Sequence, residues 1–416
     1  DAGDIDPRRI VAVMGKTEGN GCVNDHTRDF AATAWCHFLA PHLDCTAEAV
    51  HARVALVMSG GTEGVLSPHF TVFTRETVDA VTAHGEKRLV VGIAHTRDFA
   101  ATAWCHFLAP HLGCTAEAVH ARVALVMSGG TEGVLSPHFT VFTRETVDAV
   151  TAHGEKRLVV GIAHTRDFAP EEMGRMAQVE ATAAAVREAM RDAGIADAAD
   201  VHFAQVKCPL LTSAKVDDAL RRDAEPVTRD TYESMGYSRG ASALGVGLAL
   251  GEIAPEQLGD AAVLHDATLH SARASVSAGI ELEGNVVIVL GEAKGSASAF
   301  RIGHTLMHDA VDATGVRTLL RIHFGLDPER DAEAIASRLV NLLAKAEASP
   351  DGRVRGARHT MLNDSDINST RHARAAVGGV LASVVGRTAL YVSGGAEHQG
   401  PPGGGPVAAI VRMPSS

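Results

Sequence analysis

The sequence predicts an α/β fold built from recurring units, and three observations carry that prediction. Strand-sized apolar runs alternate with helical stretches along the chain. The pattern Ser-[Gly/Ala]-Gly-x-Glu recurs at Ser59–Glu63, Ser277–Glu281 and Ser393–Glu397, with a further copy at Ser128–Glu132. Lysines stand in or at the end of several of the strand-like runs. A single Ser-Gly-Gly reads as turn chemistry, but dispersed copies sharing a downstream glutamate read as parts of a site. A serine closing a strand and followed by small residues leaves its hydroxyl and the next backbone N–H groups open to a ligand.

Composition sets the outer bounds. The chain has 416 residues, room for two or three domains, and is 46% hydrophobic and 21% charged, an ordinary globular balance. Aromatics are only 4% against 41 glycines, which favours close backbone packing over an aromatic binding surface. A net charge of −12 argues against general binding to nucleic acid or anionic membrane, while allowing a local basic pocket. The six cysteines include no Cys-x-x-Cys, so neither a zinc ribbon nor a thioredoxin-type site is expected. No signal-like or membrane-length apolar run is visible, and a reducing cytoplasm is the expected location.

In chain order, Ile10–Met14 reads as a buried strand running into Gly15-Lys16-Thr17. A phosphate loop would need glycine where Ile10 stands, so that reading is rejected. His26–Ala94 is then repeated as His95–Ala163, a period of 69 residues whose one mismatch is Asp44 against Gly113. So long and so undiverged a period is not a solenoid signature; it reads as a tandem duplication or an artefact. Within each copy the reading is helix, strand, helix, strand, with Thr27 and Thr46 opening helices and strands over 53–58 and 88–93. The first copy is expected to form the native domain, leaving the second to dangle, pack loosely or displace it.

Pro170 is expected to start a helix whose stripe is Met176, Val179, Ala183, Val186 and Met190, ended by Gly194. Val201–Pro209 reads as a strand carrying Lys207. Tyr237–Gly247 is expected to open a closely packed, small-residue helix. Asn285–Leu290 reads as a strand, Asp331–Leu339 as a helix, and Val340–Glu347 as a strand-like run carrying Lys345. Arg371 and Arg374 share a face of a further helix. Ala389–Val392 leads into Ser393, and 399–406 is a tight loop before a closing strand at 407–413. The order lysine, arginine, serine thus recurs as Lys16–Arg28–Ser59, Lys207–Arg239–Ser277 and Lys345–Arg374–Ser393.

Serine is a poor nucleophile until a base takes its proton, and lysine serves when burial or a neighbouring cation lowers its pKa. Backbone N–H groups after each serine, at Gly60, Ala278 and Gly394, suit a developing oxyanion. Three arginines suit an electron-rich planar ligand. Three like units suit a small ring with equivalent carbonyls. Spacing alone does not choose among the three serine–lysine pairs.

Six stretches (11–25, 57–69, 231–242, 344–352, 358–372 and 391–400) together resemble the cyanuric acid hydrolase/barbiturase family of ring-opening amidohydrolases, over essentially the whole chain apart from the extra copy. The resemblance implies three pseudo-equivalent α/β repeat domains, with approximate threefold symmetry around one central site. Here these would be 1–94, the duplicate 95–163, then 164–300 and 301–416. It implies Ser277 as nucleophile and Lys207 as base, without a cofactor for catalysis. Ser59, Gly60, Ala278, Ser393 and Gly394 would bind ring carbonyls. Arg28, Arg239 and Arg374 would stand around the rim, and Lys16 and Lys345 would orient the ring. It also implies a structural divalent cation, magnesium or calcium, held by Glu347 and the carbonyls of Ala396, Gln399, Gly400, Pro401 and Gly404; an ordinary turn explains that loop equally well. Cyanuric acid is the implied substrate, with no nucleic-acid or membrane partner, and a homotetramer the implied assembly. Barbituric acid is the alternative substrate; a non-catalytic binder of cyclic imides and an inactive recombination product are the rival readings.

Two departures bear on this. The strand and helix that the family carries ahead of the first segment are absent here, so an unprotected sheet edge is expected. The duplication also offers Ser59 or Ser128 for one role, and Arg28, Arg97 or Arg166 for another.

Overall fold

A computed structural model describes residues 10–16, 32, 35–59, 69–74, 89–94, 105, 108–128, 132–136, 138–144, 155–280, 282–363 and 368–414, with backbone alone in the strands before residue 95. The chain divides into two compact units, 1–129 and 130–416.

In the first unit β1 (Ile10–Lys16) pairs in parallel with β2 (Ala55–Ser59) and antiparallel with β3 (His69–Thr74). The register sets Lys16 opposite Ser59. Strand β3 was not expected, although Phe70-Thr-Val-Phe-Thr74 is the β-branched and aromatic mixture that fits a pleated surface. The helix expected from Thr46 is only a 3-10 turn, Ala47–Ala52. Cys36, Leu39, Ala40, Val50 and Val54 bury a small satellite core beside it. β4 (Leu89–Ala94) lies parallel to β5 (Ala124–Ser128), the second copy's counterpart of β2, as β1 lies to β2. The strand feeding the second copy ends differently, however, so the register pairs Ser128 with Ala94 where it pairs Ser59 with Lys16.

The second unit opens with β6 (His138–Thr143) and β7 (Arg157–His164). Helix α1 (Met176–Asp192) carries the expected stripe, with Val179, Ala183, Val186 and Met190 buried. It does not start at Pro170: residues 170–172 form a separate 3-10 turn, and Gly174 at φ +75° breaks the chain between the two. Strand β8 (Val201–Cys208) follows, buried at all but His202. After α2 (Ser213–Arg221) comes α3 (Thr231–Ala249), which starts six residues, about 1.7 turns, before the expected Tyr237. Asp230 caps it by accepting from the Glu233 N–H at 2.7 Å, an Asp-x-x-Glu signature. Small residues let α3 lie on α1: a Cβ at Gly245 would stand 2.5 Å from the Val179 carbonyl oxygen. β9 (Ala274–Ala278) and β10 (Val286–Ala293) complete a sheet in the order β7-β10-β8-β9.

The last third repeats that plan. β11 (Phe300–Met307), α4 (Thr314–Phe324), α5 (Ala332–Arg338) and β12 (Leu339–Ala346) lead to a short ribbon of β13 (Arg353–Val354) and β14 (Ala357–Arg358). Then come α6 (Ser369–Val385), β15 (Tyr391–Gly394) and β16 (Gly405–Arg412), giving the sheet β11-β16-β12-β15. In both sheets a lysine-bearing strand lies parallel to a serine-bearing strand on one side and antiparallel to a closing strand on the other. The apolar faces of α1 and α3 cover the first of these sheets, and α4 and α6 cover the second. Leu135, from the second copy, is fully buried in the latter core.

Candidate active site

Parallel pairing puts lysine and serine side by side. Residues opposite one another on adjacent strands point to the same face, and the register sets Lys207 against Ser277 and Lys345 against Ser393. The lysines are both 1% exposed, at the inner ends of β8 and β12. Ser277 Oγ and Ser393 Oγ lie 3.2 Å apart, so the two sheets bring their serines to one point. Ser393 is 1% exposed, whereas Ser277 is only half-buried. Lys345 Nζ donates to the Val276 carbonyl at 2.7 Å, to Ser393 Oγ at 3.1 Å and to the Gly394 carbonyl at 2.9 Å. Burial, and after it the charge of Arg239, draws its pKa down to about 7.

Two guanidiniums sit against the glycines of the third motif. Gly395 has φ +74°, and a Cβ there would stand 2.8 Å from Arg239 Nε; one at Gly394 would stand 2.8 Å from Arg374 Nη1. Arg239 grips Glu397 in a fork, Nε to Oε2 at 2.8 Å and Nη2 to Oε1 at 2.5 Å. Arg374 grips Glu132 in the same way, both bonds at 2.6 Å. Burial disfavours the charges of Arg239 and Glu397, but each partner outweighs it, holding the arginine above and the glutamate below its ordinary value. These glutamates are the fifth residues of their motifs, a position visible in the sequence but assigned no task there.

Among the expected site residues, Lys207, Arg239, Ser277, Ala278, Lys345, Arg374, Ser393 and Gly394 lie in the second unit. There the bonds just described link Ser277, Ser393 and Lys345, while the two arginines, each forked to its glutamate, lie against Gly395 and Gly394 of the Ser393 motif. Lys16 and Ser59 are in register in the first unit by backbone, while Arg28, Gly60 and Arg97 lie outside the described residues. Arg166 pairs with Glu172 at 2.6 Å on an exposed turn and lies over Phe168.

The loop after β15 is a series of tight turns. Gln399 N–H donates to the Ala396 carbonyl at 2.9 Å and Gly404 N–H to that of Pro401 at 2.8 Å, with Gly400 at φ +97°. The Gln399 side chain ties this loop to β9: its Oε1 accepts from Val276 N–H at 2.6 Å while its Nε2 donates to the Gly395 and Glu397 carbonyls at 3.1 and 3.2 Å. Glu347, Ala396 and Gly400 line a cavity of about 130 Å³. Burial, then the neighbouring Glu397 charge, pushes the Glu347 carboxyl up to about 7. A buried acid on a cavity that Ala396 and Gly400 also line fits a hard cation, since each carbonyl keeps a second lone pair; Gln399, Pro401 and Gly404 are not among the residues that line it. The described residues contain no cluster of three or more His, Cys, Asp or Glu of metal-binding form, and no helix long and apolar enough to cross a membrane.

An α/β chain whose sheets converge on a buried serine–lysine cluster has the parts of an acyl-transfer enzyme. Comparison with known proteins narrows the class: the profile of the amidohydrolase ring-opening protein family matches residues 1–101 and again 95–412, and the chain belongs to that family. The split match restarts where the duplication does. The chain is 51% identical over 413 residues to a cyanuric acid amidohydrolase of Bradyrhizobium diazoefficiens, covering 99% of this chain and 92% of that one. It is 50% identical to one from Pseudomonas sp. (strain ADP), covering 99% and 93%. A solved cyanuric acid hydrolase, described as an evolutionary innovation by structural concatenation, superposes with a TM-score of 0.63 at 48% identity, over 99% of this chain and 92% of that one. A second, from A. caulinodans, gives 0.59 at 42% identity, over 99% and 93%.

Proposed function

We propose that this chain opens the ring of cyanuric acid by hydrolysing a cyclic amide C–N bond, with Ser277 as nucleophile and Lys207 as its base. The observation that carries this reading is the β8–β9 register, which sets buried Lys207 beside the half-buried Ser277. The names of the similar proteins support the substrate.

Ser277 Oγ adds to a ring carbonyl as its proton passes to Lys207. The ring C–N bond breaks and the leaving nitrogen takes that proton. Water then cleaves the carbamate ester on Ser277, regenerating the serine and releasing carboxybiuret, which loses carbon dioxide to give biuret. Ser393 and either Ser59 or its duplicate Ser128, with the backbone of Gly394, Gly60 and Ala278, bind carbonyls. Arg28, Arg239 and Arg374 stand at the rim, and Lys16 and Lys345 orient the ring. Lys345 suits holding better than proton acceptance, because its three acceptors occupy three N–H donors. A magnesium or calcium ion on Glu347 and the carbonyls of Ala396, Gln399, Gly400, Pro401 and Gly404 would neutralise a buried acid and pin the loop behind Ser393. The assembly proposed is a homotetramer, checked by light scattering.

A second assignment, Ser393 as nucleophile with Lys345 as base, is favoured by their direct 3.1 Å contact. Turnover of cyanuric acid and intact-mass detection of the adduct separate the two. Ser277→Ala and Lys207→Ala are expected to lose about a thousandfold or more in kcat, and Ser277→Ala to abolish the adduct. An adduct that survives in Ser277→Ala and vanishes in Ser393→Ala reverses the assignment. Turnover of barbituric acid beside cyanuric acid identifies the preferred ring.

A further inference from the structure

We infer that Glu132, from the second copy of the repeated segment, is the positioning residue for Arg374, a role that its twin in the first copy, Glu63, does not share. The inference deepens the proposed ring-opening function and rests on it for the role of Arg374.

The fork between Glu132 and Arg374 repeats, bond for bond, the fork between Glu397 and Arg239. In each case the fifth residue of one Ser-[Gly/Ala]-Gly-x-Glu motif holds an arginine borne on a helix of another repeat. The side chains of Arg374 and Glu132 are 12% and 20% exposed, so the pair is largely shielded from water. Because Glu132 takes the Nε and Nη2 edge, the Nη1 end of Arg374 is left against Gly394, beside Ser393. Arg371, one turn away on α6, lies 4.0 Å from the same carboxylate.

The segment that follows Glu132 is anchored to the third sheet and its helix. Leu135 is fully buried and fills a notch over Gly378 of α6, where a Cβ would stand 2.7 Å from its Cγ. Ser136 N–H donates to the Thr388 carbonyl at 2.8 Å. Asn341 Nδ2 donates to His138 Nε2 at 2.8 Å and to Thr140 Oγ1 at 2.7 Å. The first copy carries the same residues as Glu63, Leu66, Ser67, His69 and Thr71, so chemistry does not distinguish the copies. One forked edge and one glycine notch admit one segment at a time.

Steady-state kinetics and calorimetric binding of cyanuric acid to the full chain test the assignment. Glu132→Gln is expected to lower kcat/KM by about tenfold to a hundredfold, the scale of a lost charge-assisted pair, with most of the change in KM. Glu132→Asp should recover part of it, and Glu63→Gln should match the parent. Glu132→Gln combined with Arg374→Met should be no worse than Arg374→Met alone, because the glutamate acts through the arginine. Additive losses, or a loss on Glu63→Gln with none on Glu132→Gln, overturn the proposal. Thermal melts read the docking apart from activity: Leu135→Asp should lower Tm by several degrees and Leu66→Asp should not, and equal shifts overturn it. A parent chain that neither turns over nor binds cyanuric acid defeats the ring-opening reading and the positioning role together, while the melts still decide which copy docks.

Discussion

The third motif shows why its residues are glycines. At Gly394 an added Cβ would stand 2.1 Å from Thr370 Cγ2 and 2.8 Å from Arg374 Nη1, both borne on α6. Neither neighbour has room to retreat, since Arg374 is forked to Glu132 and Thr370 lies in the first turn of α6. Gly394→Ala is therefore expected to cost about 1–3 kcal/mol, the usual scale of overpacking. It should also lower kcat/KM at least tenfold by moving Ser393 off Ser277. Gly379 in the same helix has nothing within 4 Å of its Cβ position, so Gly379→Ala should be neutral or stabilise by up to about 1 kcal/mol. Melting curves for the two variants check the pair; equal destabilisation would show that the cost lies elsewhere.

At the scale of elements, the site depends on helices whose starts are fixed by caps. α3 carries Arg239, and Asp230 holds its first turn through the Glu233 N–H. Asp230→Ala is expected to cost about 1 kcal/mol, seen as a fall in Tm of a few degrees, with a loss of affinity for cyanuric acid if the turn that frays extends toward Arg239. The cap is legible in Asp-Thr-Tyr-Glu, ahead of the small-residue run at Tyr237 that marks the packed middle of the helix. The lysine-bearing strands and the runs before Ser59 and Ser393 were readable from their apolar residues, whereas β9, which carries Ser277, was not; β10 and β16 were readable as strands, but which strands they pair with is set by tertiary contacts that local pattern does not encode. Strand β3 carries its own local signal in its β-branched and aromatic residues. The glutamates of the motifs were visible as a repeated letter, but their task depends on arginines over a hundred residues away, as with Glu397 and Arg239 or Glu132 and Arg374. Which copy supplies that glutamate to Arg374 is equally out of reach of sequence, because the two copies read alike there.

At the scale of the molecule, the second and third sheets meet through histidines, and this makes stability depend on pH. His202 of β8 and His304 of β11 share a 2.8 Å contact between their Nδ1 atoms, so at least one ring is neutral. Burial, then the charge of His304, lowers His202 to about 3. Burial, then Arg273 and His323, lowers His304 to about 4. Around them stand Arg273, His323 and the Glu292–Arg301 pair, the last two at 3.0 Å. The unfolded chain takes up a proton at each histidine near pH 6.5, whereas the folded chain does so only near 4 and 3. Between those limits the unfolded state binds more protons, so stability is full above about pH 7 and falls as the pH drops, by up to about 1.4 kcal/mol per unit for each histidine. Glu292 is held to about 2: burial opposes its charge, but His323 and Arg301 outweigh it. Its contribution is therefore present above about pH 4.5 and is lost only below it. Urea melts at pH 7, 6 and 5 should show a falling midpoint in the parent. The double variant His202→Gln/His304→Gln should lose most of that slope, because neutral amides take no proton in either state. An unchanged slope in the double variant would assign the acid sensitivity to other groups and remove the histidine contact as its source.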